Sequence, residues 1–439
     1  MTMNGYRTSA GRREETQNTR VAYAFFAVYI ICLWLPAPLD ISGTGITAGY
    51  LPLGLAFLLL LFSRRAPLRL AQLPPQEDRL FKTLIALLTF LTIWCLFSAF
   101  QASEIIRIGR PMATYAQAIL TLIMLRALLP SLTAQVKFVE LMLWTAIVMS
   151  GITVLASFVG PLRSLMPHYG DRIPGFFKHP NQTGIVSAMF LPILVARITA
   201  RSYRSPRLIM GAALVLLALV VSGSKTNLLI AAATSFIAIG VTSILHRDPL
   251  LRAGALTMNM SIGVVVVVLA GGWLATFNPR AFDVLGQLVS GDVEFGGSGA
   301  YHSLNSRNNL WDYSIMAGFE NPLFGEGAGQ PFKPPVASAP HSHNAILDAF
   351  RTLGFPGAIA TTAMLLMLLV YCSVFILNLI RFSYQPIEWR ATFVGISLGS
   401  ISYIIANQMS DSLGPSTSPF LWLFISQLLV SARYFLHRN

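Results

Sequence analysis

The chain is poor in charged residues, since only 11% of its 439 amino acids are Asp, Glu, Lys or Arg. Soluble globular domains carry about 25% charged residues, so this scarcity excludes an ordinary soluble enzyme. Hydrophobic residues make up 54% of the chain, and its mean hydropathy is +0.62. This composition is typical of an integral membrane protein that crosses the bilayer many times.

Acidic residues are scarcer than basic ones, 18 against 31, which gives a formal net charge of +13. Such an excess can indicate nucleic-acid binding. In a membrane protein, however, basic residues mark the cytoplasmic ends of helices, and we favour this interpretation over a nucleic-acid partner. Cysteine is rare as well. Cys32, Cys95 and Cys372 lie in apolar segments, and their odd number and wide spacing predict no structural disulfide and no metal site.

Long apolar runs dominate what is present, and we interpret each run as a membrane-spanning helix. The predicted fold class is all-α, a polytopic membrane protein with about 12 transmembrane helices and one large periplasmic loop. The predicted parts are a cytoplasmic tail (1–20), helices 1–9 (21–277), the periplasmic loop (278–356) and helices 10–12 with a cytoplasmic C-terminus (357–439). The runs lie roughly at 21–39, 44–62, 80–100, 111–129, 138–159, 182–198, 208–222, 227–245, 253–277, 357–380, 391–409 and 417–435.

The distribution of basic residues predicts the orientation. With the N-terminus in the cytoplasm and one crossing per run, 21 of the 31 Lys and Arg residues fall in cytoplasmic segments. Most of the other ten lie in three places: the loop around 160–181, the S-G-S-K turn and the 278–356 loop. The positive-inside rule gives no reason for them there, so they are candidates for function.

Three of the predicted outer segments place a basic or imidazole side chain before the start of a helix. They are Gly175–Asn181, Ser222–Asn227 and His341–Asn344. Helix N-termini carry unpaired N–H groups and roughly half a positive charge, so an added cation makes an anion site. Three such ends would suit a diphosphate if they converge. Simpler alternatives stay open: Lys225 can reach lipid headgroups, His179 can cap a helix, and Arg307 can pair with Asp312.

The polar loop itself predicts two short helices. One is expected from Arg307 to Asn321-Pro322, and the other begins at Asn344, the predicted N-cap, and is separated from the tenth span by Gly354, Pro356 and Gly357. Between them, G-E-G-A-G predicts a turn and not a dinucleotide fingerprint, because no strand precedes it. The H-S-H segment lacks a third ligand and the spacing of a metal site.

These motifs resemble those of the O-antigen ligase and polymerase superfamily of bacterial envelopes. The similar stretches are R-N-N-L-W-D-Y-S, N-P-L-F-G-E-G, H-S-H-N-A-I-L-D and L-G-F-P-G, with K-H-P-N-Q-T-G and S-G-S-K-T-N-L-L upstream. The resemblance implies a multi-span (GT-C-type) glycosyltransferase of the bacterial inner membrane, working at the periplasmic face without a metal or nucleotide cofactor. It would move a glycan from an undecaprenyl-diphosphate donor to a saccharide acceptor, either lipid A core or a growing repeat-unit chain.

The resemblance also implies roles for individual residues. The catalytic set is His343 with Arg307 and Lys225, where Lys225 stands in place of the family's usual Arg. An imidazole, with a pKa near 6.5 in peptides, suits proton removal from the acceptor hydroxyl, and cations suit the leaving diphosphate. His341 is the alternative base. Asp348 can orient an imidazole or a hydroxyl, but we favour a helix-surface pair with Arg351. The expected substrate-binding residues are Arg172, Lys178, His179, Asn181, His341, Asn344, Trp311 and Asp348.

Three functions remain open at this point. A ligase and a polymerase of exopolysaccharide or O-antigen repeats would share these residues, so the motifs do not separate them. A flippase for lipid-linked sugars is less favoured, because transporters place charged residues inside their spans and the runs here are nearly free of charge.

Overall fold

The computed structural model describes residues 9–36, 49–62, 72–129, 131–167, 172–201, 205–246, 254, 257, 300–332, 341–381, 385–409 and 413–435, with backbone only for 9–19 and 300–306. The predicted ninth run and most of the first part of the predicted loop lie outside these residues. Within them every regular element is helical, and no strand occurs. The predicted all-α class is therefore confirmed.

The α-helices are numbered here in chain order through the described residues. They are α1 (Ser9–Cys32), α2 (Tyr50–Leu61), α3 (Pro75–Phe97), α4 (Gly109–Leu128), α5 (Leu132–Leu155), α6 (Gly160–Arg163), α7 (Pro180–Ala200), α8 (Pro206–Val221), α9 (Lys225–Leu245), α10 (Ala300–Glu320), α11 (Ala345–Arg381), α12 (Ile387–Ala406) and α13 (Ser418–Phe435). Two 3₁₀ turns, Ser98–Gln101 and Ile105–Ile108, connect α3 to α4.

Seven helices in the described part of the chain are long and apolar enough to cross a membrane. They span Pro75–Gln101, Ile105–Leu128, Leu132–Leu155, Pro180–Ala200, Lys225–Leu245, Ala345–Arg381 and Ile387–Ala406. Three further apolar helices are shorter, at Arg20–Cys32, Tyr50–Leu61 and Pro206–Val221. The chain is thus a multi-pass membrane protein, and the count of 12 spans stays a prediction.

One end of the helix bundle, which we call the loop face, is defined by contacts between helix ends. Ala345 N–H at the start of α11 donates to Asn407 O at the end of α12, at 2.9 Å. The Tyr50 hydroxyl at the start of α2 donates to Pro415 O before α13, at 3.0 Å. Ends and starts of successive helices therefore meet here, as an alternating series of crossings requires.

The other end, which we call the ion-pair face, is held by charged side chains. Arg126 near the end of α4 pairs with Asp78 at the start of α3, at 3.1 Å. Arg201, directly after α7, pairs with Glu388 at the start of α12, at 2.8 Å. Arg197 pairs with Glu140 in the same region. The basic residues that the orientation rule predicts to be cytoplasmic supply these pairs.

The packing core is formed by α7 and α12, which are buried along almost their whole length. Two glycines of α12 let the backbones touch. A Cβ on Gly395 would lie 2.4 Å from Ile193 Cα, and one on Gly399 would lie 2.3 Å from Met189 O. Because lipid is as apolar as these side chains, close van der Waals packing across small residues is what favours the contact.

One predicted helix limit needs correction. Helix α10 begins by Ala300, before the predicted start at Arg307, and ends at Glu320 as Asn321-Pro322 predicts. The predicted break before the tenth span is confirmed, because α11 consists of two helical parts that meet at Gly354, whose φ of 67° and ψ of −164° are not helical. The Phe355 N–H then donates to Pro322 O at 2.8 Å, which replaces the lost helical hydrogen bond and lets the chain continue.

Gly395→Ala is expected to lower the thermal unfolding midpoint of the detergent-solubilised protein. The added methyl group must push the α7 backbone away, and such overpacking costs about 1–3 kcal/mol. Gly240→Ala in α9 is the matched control, since nothing lies within 4 Å of the added Cβ. There the better helix propensity of Ala, worth about 1 kcal/mol, should leave the midpoint unchanged or raise it. Equal midpoints for the two variants would contradict the packing role.

Candidate functional site at the loop face

The start of α7 is capped by a histidine. His179 has an extended backbone, and its Nδ1 accepts the Asn181 N–H at 3.1 Å, while Pro180 occupies the first helical position. The capping interpretation of His179 is therefore confirmed. Because Nδ1 accepts, we assign the ring proton to Nε2. Lys178, directly before it, is half-buried.

Arg172 joins three helix ends. Its Nη2 donates to Asn181 Oδ1 at 2.7 Å, and its Nε donates to Ser222 O, just after α8, at 2.8 Å. Asn227 in the first turn of α9 completes the contact by donating from Nδ2 to Asn181 O at 3.1 Å. The turn at Gly223 has φ 62°, and a Cβ there would lie 3.1 Å from Arg172 Nε. The two upstream motifs thus form one packed unit.

Lys225 is the first residue of α9 and is exposed. Within the part of the chain that the structure describes, no hydrogen bond or ion pair reaches its ammonium group. It therefore stands as a free cation beside a helix N-terminus and near Arg172, whose charge acts on it. Such a place favours an anion.

The H-S-H-N segment is held tightly before α11. Asn344 Oδ1 accepts the N–H groups of Ile346 and Leu347, each at 3.0 Å, so the predicted N-cap is confirmed. His343 has a positive φ of 58°, which is uncommon for a non-glycine residue and is found where the surroundings enforce it. Its N–H donates to His341 Nδ1 at 3.3 Å, and the two rings pack edge to face with centroids 4.5 Å apart.

Two of the three histidines described at the loop face, His179 and His341, are held neutral. Burial, then the nearby Arg172, His343 and His341, lowers the pKa of His179 to about 3. Burial also lowers the pKa of His341 to about 4, with Asp348 opposing and Arg110 and Arg351 adding to the shift. The charges of His341 and His343 act on His179, so the starts of α7 and α11 lie within electrostatic range of each other. The three helix starts singled out in the sequence therefore lie together.

Helix α10 contacts the same segment through Trp311, whose Nε1 donates to Ser342 O at 2.9 Å. Arg307 lies one turn earlier on the same side of α10 and is half-buried. No ion pair joins Arg307 to Asp312, which is exposed, and in the described part of the chain its guanidinium has no hydrogen-bond partner.

The pairing of Asp348 with Arg351 is confirmed, but its predicted position on the helix surface is wrong. The Arg351 side chain is only 1% exposed and lies 3.1 Å from Asp348 Oδ1. It also pairs with Glu326 at 3.1 Å, donates to Gln330 O at 3.0 Å and lies over the Phe332 ring at 4.1 Å. The pair of Asp348 and Arg351 is part of a buried network because the G-E-G-A-G turn folds over α11.

That turn is confirmed, and its glycines explain how it approaches so closely. A Cβ on Gly325, whose φ is 63°, would lie 2.4 Å from Arg351 O. Glu326 N–H then donates to Arg351 O at 2.7 Å, and Tyr313 donates to Glu326 Oε1 at 2.8 Å. The sequence interpretation missed Glu326. A signal was present, because a carboxylate between glycines in a membrane protein needs a cationic partner.

A cavity of about 110 Å³ lies beside this network. His341, Asp348 and Arg351 line one wall, and Arg110 and Tyr115 of α4 line another. The sequence interpretation counted Arg110 only as one of the outer basic residues, because it lies far in the chain from the other motifs. Among the described residues, no group of three or more His, Cys, Asp or Glu is placed to hold a metal ion.

Taken together, the loop face brings cations, helix N-termini and neutral imidazoles to one end of the bundle, and a cavity lies beside His341. The cations and N-termini can bind an anion such as a phosphate group. A neutral imidazole can accept or donate a proton. These are the groups that a transfer from a phosphate-linked donor requires.

Comparison with known proteins agrees with this chemistry. Residues 210–362, about a third of the chain, match the model of the O-antigen ligase family (Wzy_C). The match includes Lys225, Arg307 and the segment from His341 to Asp348. It begins after Arg172 and His179, which therefore lie outside it. A search of curated proteins finds no match. The resemblance that the motifs suggest is thereby confirmed, and residues 210–362 are similar to the O-antigen ligase family of the ligase and polymerase superfamily.

Proposed function

We propose that this protein is a glycosyltransferase of the bacterial inner membrane, of the O-antigen ligase type. It transfers a glycan from an undecaprenyl-diphosphate donor to a saccharide hydroxyl at the periplasmic face. The observation that carries the proposal is the meeting of α7, α9 and α11 starts at one face, together with the free cations Lys225 and Arg307 and the His341–His343 pair.

In the proposed reaction, the acceptor hydroxyl oxygen attacks C1 of the donor sugar. The bond between C1 and the diphosphate oxygen breaks, its electron pair stays on the diphosphate, and the hydroxyl proton passes to a histidine. Lys225 and Arg307 stabilise the charge that grows on the diphosphate, a task that a metal ion performs in other transferases. Undecaprenyl diphosphate and the joined glycan are the products.

The hydrogen bonds favour His343 over His341 as the base. His341 Nδ1 already accepts the His343 N–H, so its Nε2 carries the proton and can only donate. His179 is used in the same way by Asn181. The two neutral donors suit contacts with phosphate or sugar oxygens, and the base role falls to His343.

The bundle geometry supports a periplasmic loop face. The ion-pair face holds Arg126, Arg197 and Arg201, and basic residues mark the cytoplasmic side of membrane proteins. The loop face then faces the periplasm, where lipid-linked glycans are joined to their acceptors. Both chain ends would be cytoplasmic.

A polymerase of exopolysaccharide or O-antigen repeats is the second candidate, because the family match fits both activities. In a deletion strain, polymer that is made but not attached to lipid A indicates a ligase, whereas single repeat units indicate a polymerase. Lipid-linked units held on the cytoplasmic side would indicate a flippase and would contradict both candidates.

Cysteine labelling should report the orientation. A cysteine at the exposed Ser164 on the loop face should react with a membrane-impermeant maleimide in intact spheroplasts. A cysteine at Arg207, exposed at the start of α8 near the ion-pair face, should react only after lysis. Cys95 and Cys372 are buried and should give little background. The reverse pattern would overturn both the orientation and the mechanism.

Lys225→Ala and Arg307→Ala should each raise the KM for donor more than the KM for acceptor. Loss of one charged hydrogen bond, worth about 1.5–3 kcal/mol, predicts an effect of roughly 10- to 100-fold. Lys225→Arg should keep much of the activity, because the charge remains. Lys137→Ala is the control, an exposed lysine of α5 away from the loop face. Normal donor use by Lys225→Ala would contradict this role and favour the alternative that Lys225 contacts lipid headgroups.

His343→Gly and His343→Asn should abolish transfer while the protein keeps its unfolding midpoint. Gly and Asn accept the positive φ of this position, whereas Ala would keep the backbone strain of about 1–2 kcal/mol that a residue with a Cβ carries there. Loss of a base lowers the rate by about 10²–10⁴. His341→Ala should be milder.

The pH profile gives an independent check of this base. His179 and His341 have pKa values of about 3 and 4, so both stay neutral from pH 5.5 to 8. Protonation of His343 removes its acceptor, so wild-type activity should fall on the acid side of that window. An active His343→Asn enzyme with an unchanged profile would show that another group is the base.

A further inference from the structure

The cavity beside His341 has polar lining groups that the proposed donor contacts leave unused. Thr361 of α11 is 1% exposed, and its hydroxyl has no hydrogen-bond partner in the part of the chain that the structure describes. The hydroxyl of Tyr115, on α4, likewise has none there. Both side chains line the cavity. A buried hydroxyl such as that of Thr361 normally finds a partner, so it points to a ligand or ordered water.

Arg110 is the third unused group, and its neighbours show how unusual it is. Across the described residues, its guanidinium makes no hydrogen bond and no ion pair. Arg107, three residues earlier, pairs with Glu104 at 2.7 Å, and Arg351 across the cavity pairs with two carboxylates. Arg110 is therefore the arginine of this group whose guanidinium contacts no carboxylate in the described residues, and it is available to an anionic ligand.

The size and walls of the cavity limit what can bind. About 10–15 Å³ of such space holds one water, so 110 Å³ admits roughly ten non-hydrogen atoms, the size of one monosaccharide. Pro111, Leu353 and Pro415 supply apolar wall for the C–H face of a sugar, and Tyr115 supplies an aromatic ring with a polar tip. Hydroxyl groups on the ligand can then reach Thr361 and Asp348.

The cavity and the proposed diphosphate-binding groups use different residues. His341 lines the cavity wall with Arg110, while His179 and Arg172 belong to the unit that joins α7 to the start of α9 at Lys225. Because neither Lys225 nor Arg307 lines the cavity, a sugar held there would contact groups that the proposed donor contacts leave unused.

We propose that this cavity binds one sugar of the acceptor glycan, and that Arg110 binds an acidic substituent, a carboxylate or a phosphate, on that sugar. The proposal rests on the transferase function above, because it assigns the acceptor side of the same site. It assigns to Arg110 a role in acceptor choice and to Thr361 a hydrogen bond to a sugar hydroxyl.

Binding of simple probes to the full chain in nanodiscs tests this assignment. The probes are D-glucuronate and D-glucose 6-phosphate, with D-glucose as the neutral control, and saturation-transfer NMR or calorimetry gives the affinities. One or both acidic sugars should bind at least about tenfold more tightly than glucose, and the one that does names the substituent. Arg110→Gln should remove this preference. Arg107→Gln, an exposed arginine of the same segment, should keep it.

Thr361→Val provides a second variant that keeps the volume of the side chain. It should weaken binding of all three sugars several-fold without changing the preference for the acidic ones. Failure of wild type to prefer either acidic sugar, or an unchanged preference in Arg110→Gln, would overturn the proposal. If Thr361→Val still binds all three sugars tightly, the Thr361 hydroxyl does not contact the sugar.

Geranyl diphosphate separates the acceptor side from the donor side. Its affinity should fall in Lys225→Ala and stay within about twofold of wild type in Arg110→Gln, a difference well below the tenfold that one charged contact gives. An equal loss in both variants would assign Arg110 to the donor and overturn the acceptor site. Failure of the transferase proposal has a different signature: the wild-type protein would then transfer no glycan from a lipid-linked donor to any acceptor, whatever the sugars do.

Discussion

The buried guanidinium of Arg351 is the constraint on which the loop face depends. An isolated charge in an apolar interior costs several kcal/mol, so Arg351 is stable only with its carboxylate and carbonyl partners in place. Those partners come from two segments, because Asp348 lies on α11 and Glu326 and the Gln330 carbonyl lie in the glycine turn. The network therefore fixes the turn against α11, and with it the place where Ser342 accepts from Trp311 of α10. The segments that follow α9 and supply proposed site residues are therefore held by the Arg351 charge, either directly or through one intervening contact.

Electrostatics explains why a site of this kind gathers so much positive charge. The starts of α7, α9 and α11 each bring a partial positive charge, and Arg172 and Lys225 add full charges beside them. Like charges repel, and Arg172 contributes to the low pKa of His179. Binding of an anion would relieve this repulsion, so the gathered positive charge favours binding of the proposed diphosphate. The proposed product, undecaprenyl diphosphate, would keep its charge, so we expect its release to be slow.

Much of this arrangement could be predicted from the sequence, and the parts that could not have a common cause. Local rules found the Asn344 cap, the turn at G-E-G-A-G and the break at Gly354, because each follows from residues a few positions apart. The sequence did not reveal that Arg351 is buried, that Glu326 is its partner or that Arg110 faces His341. Those facts depend on contacts between α4, the turn and α11, which are distant in the chain. The pattern of a helix surface pair, i to i+3, describes Asp348 and Arg351 correctly but carries no information about what folds over them.

The three histidines show how identical side chains acquire separate roles. A ring whose Nδ1 accepts a backbone N–H must carry its proton on Nε2, and such a ring donates but does not take a proton there. His179 and His341 are both fixed in this state, and burial keeps them neutral. His343 supplies the N–H that fixes His341, and the left-handed backbone that makes this contact also sets the direction of its own ring. The positive φ at His343 therefore has a physical use, since it lets the His343 N–H fix His341 as a donor and leaves His343 as the proposed base. A substitution that relaxes the backbone at His343 without removing an imidazole would change the roles of both His341 and His343.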